Sequence, residues 1–131
     1  AKTLERLLLA IAALAMMVGG IGIMNVMLAS VAQRTHEIGI RIAVGAKPYA
    51  IQLQFLGEAV MLSAIGGLLG IAVAMIAGAR VASSLGWHVT PSATSGIGTL
   101  VAAMTVGVAF GLVPAIRASR LDPIEALRTE R

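Results

Sequence analysis

LLLAIAALAMMVGGIGIMNVMLASV, residues Leu7–Val31, runs for 25 positions without a charged side chain. Bilayer hydrocarbon is about 30 Å thick and an α-helix rises about 1.5 Å per residue, so about 20 apolar residues cross it. The stretch is long enough, and it makes lipid rather than water the solvent for this chain. It is also too long for a signal peptide and lacks a persuasive cleavage site, so it reads as a span rather than a leader.

Two more runs lie downstream. One follows Pro48 and is uncharged over Ala59–Ala79, closed by Arg80; the other covers about Ser95–Ile116 and is closed by Arg117. Pro114 sits near the end of the last run, where a missing backbone bond is tolerable. The expected fold is an all-α membrane protein with three transmembrane helices, at about 7–31, 56–79 and 95–116. A connector at 33–48, an outer loop at 80–94 and a tail at 117–131 complete it.

Composition agrees. Hydrophobic residues make up 58% of the 131, charged residues 12%, and the mean hydropathy is +0.93; a soluble domain carries about 25% charge. Cysteine is absent, which excludes a disulfide framework and a thiolate metal site. The net charge of +4 does not argue for nucleic acid. The basic residues flank the apolar runs, where membrane proteins place them.

Their distribution sets direction. The first connector and the tail hold Arg34, Arg41, Lys47, Arg117, Arg120, Arg128 and Arg131; the other side holds Lys2, Arg6 and Arg80. Seven against three puts the connector and the C-terminus in the cytoplasm. The first residue then lies outside, and the expectation is an upstream part that itself crosses the membrane.

The connector reads Gln33-Arg34-Thr35-His36-Glu37-Ile38-Gly39-Ile40-Arg41-Ile42-Ala43-Val44-Gly45-Ala46-Lys47-Pro48. Ile38, Arg41, Ile42 and Gly45 fall at helical spacing. Gly45 suits the position just past a helix end, and Pro48 the start of the next helix. A short helix with an elbow at Gly45–Lys47 follows. Its polar side offers Arg34, Glu37 and Arg41, to a protein partner or to the headgroup layer. In the tail, Asp122-Pro123-Ile124-Glu125 has the form of a capping box, with Asp122 as cap, Pro123 first and Glu125 third. It predicts a short amphipathic helix over 123–129. Arg117 and Arg120 stand where anionic headgroups lie.

Within the spans, small residues recur every fourth position: Gly66, Gly70, Ala74 and Gly78, then Ala103, Gly107, Gly111 and Ala115. Smooth rows permit the close backbone approach on which helix association in lipid depends. Gly66, Gly70, Gly107 and Gly111 are therefore expected where spans two and three pack against each other or against a neighbouring span. Gly19, Gly20, Gly22 and Asn25 in the first span admit similar contacts. Glu58, at the inner edge of the second span, reads as half of an ion pair with Arg34 or Arg41 rather than as a proton site. Trp87 suits an interfacial anchor, and a lone His88 in an outer loop carries no assignment. The chain contains no phosphate-binding GxxxxGK[ST], no HExxH and no nucleophile elbow, so it is not expected to be an enzyme or to bind a cofactor directly.

Gly19–Leu28 (GGIGIMNVML), Arg34–Ala46 (RTHEIGIRIAVGA) and Pro114–Leu127 (PAIRASRLDPIEAL) together resemble the C-terminal membrane part of MacB-type ABC transporter permeases, the FtsX-like permease domain. The resemblance implies helices two to four of a four-helix permease whose large outer domain lies between helices one and two. It implies dimers of permease chains and a cytoplasmic ABC ATPase, fused or separate, that consumes ATP and moves the outer domain. A periplasmic adaptor and an outer-membrane channel go with the macrolide-exporting type, in the bacterial inner membrane. By motif, Arg34–Ala46 becomes the coupling segment that meets the ATPase, with Arg34, Glu37, Gly39, Arg41 and Gly45 as its positions. The charges are expected to pair with the ATPase and the glycines to form the elbow. Asp122–Leu127 resembles a short helix near the same surface, and Lys2–Ala13 a stalk toward the outer domain. Alternatives are, in another class, a scaffold that switches on cell-wall hydrolases; a lipoprotein-releasing permease, a close variant of the first reading; and an independent three-span bundle conducting ions through Glu58.

Overall fold

The computed structural model describes residues 2–86, 92–122, 124 and 126. Four helices follow one another: α1 (Lys2–Gln33), α2 (Thr35–Ala43), α3 (Pro48–Leu85) and α4 (Ala93–Ser119). No strand occurs among the described residues. α1, α3 and α4 are each long and apolar enough to cross a membrane, and all three run past the uncharged stretches that announce them. Leu7, Leu8, Leu68, Leu69, Val73 and Ile76 are each more than half exposed. So much contiguous apolar surface is untenable in water and natural in lipid.

The local signals explain the breaks. α2 follows α1 with only Arg34 between them, and the hydrogen-bond ladder carries through: the Arg34 N–H donates to the Ser30 carbonyl and the Ile38 N–H to that of Arg34. The Thr35 hydroxyl donates back to the Val31 and Ala32 carbonyls. α2 ends where Gly45 takes φ 95°, a conformation open to glycine without steric cost. The Ala46 N–H then reaches the Arg41 carbonyl at 2.9 Å, and the Gly45 N–H that of Ile42 at 3.0 Å. This pair of bonds is a Schellman closure. Lys47 is extended and Pro48 opens α3. Gly86, at φ 68°, ends α3 in the same left-handed way. Pro114 stays inside α4; it cannot donate to the Phe110 carbonyl, yet the helix continues to Ser119.

α4 is the central helix, packed along α3 and more lightly along α1. The core lies at the α2 end of the bundle: Met27, Val31, Ile38, Ile51, Phe55, Ala59, Ala115 and Ala118. Toward the other end the helices diverge. Every described residue of α1 up to Gly19 is exposed. An open groove of about 430 Å³ separates α3 from α4 there, lined by Gly70, Ala74, Gly78, Ser95, Gly96 and Thr99 among others.

The contact between α3 and α4 uses a different row of α3 than Gly66 and Gly70. On α4, Gly107 lies against Ser63, Gly111 against Ala59, and Ala115 is fully buried. On α3, however, Gly66 and Gly70 have no neighbouring atom within 4 Å of where a Cβ would stand. The row that meets α4 is Ala59, Ser63 and Gly67, the last placing a Cβ 2.9 Å from that of Ala103. That row is small only over its lower half, because Ile71 continues it. Beyond Ile71 the two helices face each other across the groove. Gly66 and Gly70 instead line a groove of about 630 Å³ bounded by α1, α3 and α4. In α1, Gly20 alone of its glycine cluster is packed, against the Phe110 ring.

Candidate coupling site

α2 is nine residues long, shorter than the roughly 12–15 at which an isolated helix becomes even marginally stable in water. It is held by its neighbours. Ile38 is its anchor, 2% exposed and set into the core with Met27 and Val31 of α1, Ile51 and Phe55 of α3, and Ala115 and Ala118 of α4. One side chain thus touches all three long helices' shared core. Ile42 and Ala46 pack at its edge.

The polar side of α2 forms a second set of ties. Arg41 donates to Gln54 Oε1 on α3 at 2.9 Å and to the Glu37 carboxylate one turn back. Arg34, at the α1–α2 corner, donates to Glu58 Oε1 at 3.4 Å. The Arg34 and Glu58 side chains are 49% and 36% exposed, so this ion pair contributes at most about 1 kcal/mol. It nevertheless supplies Glu58 with the partner the sequence called for. The guanidinium groups expected to face an ATPase are thus partly engaged within the chain, while Glu37 and Arg41 remain about half exposed. Lys47 stands 6.0 Å over the Tyr49 ring, a loose cation–π contact.

Gly39 departs from its expected role. Gly45, not Gly39, makes the elbow. Gly39 is buried in the middle of α2, and the place of its missing side chain is taken by Ala126. Asp122 accepts a bond from the Ile124 N–H through its carboxylate at 2.8 Å. Its carbonyl accepts from the Ala126 N–H at 2.9 Å. This is the capped helical turn the sequence indicates at Asp122. Pro123, Glu125 and Leu127, like Trp87 and His88, lie outside the described residues.

The site therefore gathers Arg34, Glu37, Gly39, Arg41, Gly45 and Asp122 at one end of the bundle, and leaves Gly66 and Gly70 well away from it. Sequence reasoning passed over Gln54 and Ala126. Gln54 was readable only as a polar residue in the first turns of α3, and Ala126 carries no signal of its own. Among the described residues no group of histidine or acidic side chains is arranged to hold a metal.

A model of the C-terminal part of FtsX-like permeases matches residues 9–123. The chain is 52% identical over 121 residues to the macrolide export ATP-binding/permease protein MacB of Nitrobacter winogradskyi, covering 92% of this chain and 19% of that protein. It is 50% identical over 129 residues to MacB of Bdellovibrio bacteriovorus, covering 98% and 20%. It is 51% identical over 130 residues to the pyoverdine export ATP-binding/permease protein PvdT of Pseudomonas syringae pv. tomato, again covering 98% and 20%. The chain spans about a fifth of the length of these relatives.

Proposed function

The chain belongs to the FtsX-like permease family, and we propose on that basis that it is the transmembrane part of an ABC-type exporter that carries force from a cytoplasmic ATPase to an outer domain. The α2 end faces the cytoplasm of a bacterium, the basic side of the chain. The ATPase, in another domain or subunit, binds and hydrolyses ATP; this chain contributes no catalytic residue. Two permease chains pair in the membrane, and in the macrolide-exporting type an adaptor and an outer-membrane channel complete the path.

The observation that carries this reading is the seat of α2. Its exposed side presents Glu37 and Arg41, and its inner side drives Ile38 into the core shared by α1, α3 and α4. A push on α2 therefore moves the packed end of all three helices together. The sparsely packed other end, with α1 exposed up to Gly19, turns a small displacement into a change of helix spread. α1 continues on that side toward the outer domain as a stalk. A packed knot transmits displacement because close-packed interiors deform little.

The test is Glu37→Lys in the complete reconstituted exporter. Reversing this charge sets it against Arg41 and against whatever basic group on the ATPase it meets. Substrate-stimulated ATP turnover is expected to fall to the basal rate while membrane insertion and helix content stay as in the parent. Unchanged stimulation would refute α2 as the ATPase contact.

A further inference from the structure

The two buried residues of α2 are adjacent in sequence and differ in what they touch. Ile38 enters the bundle core. Gly39, about 100° round the helix, meets the segment that follows α4. Ile38 is the one side chain of α2 buried in that core; Ile42 at its edge and the exposed Arg41–Gln54 bond leave so short a helix able to roll about its axis. A second contact a quarter-turn away removes that freedom and fixes the direction in which Glu37 and Arg41 point.

The structure gives the second contact a definite form. α4 closes with the Arg120 N–H on the Arg117 carbonyl at 3.3 Å, and Leu121 packs at the edge of the core. Asp122 then caps a new turn through both its carboxylate and its carbonyl. That turn delivers Ala126, 4% exposed, onto Gly39. A Cβ on Gly39 would lie 2.6 Å from the Ala126 Cβ and 3.8 Å from its Cα and carbonyl carbon. Gly39 has ordinary helical backbone, since only Gly45 and Gly86 among the described glycines have positive φ. Its missing side chain therefore answers to this approach and not to a turn.

We propose that the Asp122-capped turn is a brace that sets the roll of α2 through the Gly39–Ala126 contact, making these two residues positioning residues for energy coupling. The inference rests on the reading of α2 as the ATPase contact. Through the brace, α4 governs the angle at which α2 meets its partner, in addition to receiving its motion through Ile38.

The contact is reciprocal, so the experiment is a rescue. In the complete exporter, Gly39→Ala places a methyl against Ala126, and Ala126→Leu crowds the same space without touching the α2 sequence. Each is expected to lower substrate-stimulated ATP turnover about fivefold or more, the consequence of the mildest overpacking. Adding Ala126→Gly to Gly39→Ala removes the obstructing methyl and is expected to restore stimulation to within about twofold of the parent, at the cost of one added flexible glycine. A rescue of this kind is not produced by a general loss of helix stability, which a further glycine would worsen. Wild-type coupling in both single variants, or a double variant no better than Gly39→Ala, would overturn the brace. Glu37→Lys assayed alongside separates the two claims: if it uncouples while Gly39→Ala and Ala126→Leu do not, the brace fails and the reading of α2 stands.

Discussion

Ile38→Ala isolates what holds α2 in place. The side chain is 2% exposed and is the one residue of α2 fully inside the core cluster. Truncation removes three carbons, about 2.4 kcal/mol of transfer free energy at roughly 0.8 per carbon. The cavity left behind raises this toward the upper part of the roughly 2–5 kcal/mol seen for such changes. A helix this short has no stability of its own to fall back on. The loss should therefore appear as local opening of α2 rather than as unfolding of the bundle. Hydrogen–deuterium exchange in lipid nanodiscs reads it directly. Amides of residues 38–43 should exchange about 50-fold faster or more, since about 1.4 kcal/mol is a factor of ten. Ile38→Val, at about 0.5–1.5 kcal/mol, should accelerate them roughly 2- to 10-fold. Amides of α3 from Gly57 to Ser63 should change far less. Protection of α2 unaltered by Ile38→Ala would refute the anchor, as would equal acceleration throughout α3.

Two further outcomes follow from the packing. Gly107→Ala and Gly111→Ala should each lower the melting temperature in detergent, because Ser63 and Ala59 occupy the space; Gly66→Ala and Gly70→Ala, with open space around them, should leave it unchanged or raise it through the roughly 1 kcal/mol helix preference of alanine. Glu58→Gln should cost less than about 1 kcal/mol, the ceiling for a half-exposed ion pair, and leave export intact; abolished export at unchanged stability would give Glu58 a direct role in transport.

The membrane-crossing helices and the elbow were legible because each rests on a strong local rule. A run without charge, a glycine in left-handed conformation at position 45 and a proline opening the next helix each act within a few residues. The Asp122 cap was legible for the same reason. What escaped was tertiary. Two rows of small residues run along α3, and nothing local distinguishes Gly66–Gly70 from Ala59–Ser63–Gly67; the choice depends on how α4 crosses. Gly39 was read as part of the elbow because a glycine announces freedom and not what fills the space beside it. Ala126, its counterpart, is an ordinary alanine until the turn after α4 brings it there. The tie of Arg41 to Gln54 likewise joins residues 13 positions apart, beyond any helical periodicity, whereas the Arg34–Glu58 pair was legible as one of two partners for a lone acid at the edge of a span.

The central claim is that α2 meets the ATPase on the inner side of the membrane. Replacing Glu37 with a photo-activatable residue in the complete exporter, and irradiating intact cells, tests it most directly. The account predicts an adduct with the ATPase whose yield changes when nucleotide is bound and hydrolysed. Capture of an extracytoplasmic protein from position 37, with no ATPase adduct in any nucleotide state, would contradict it.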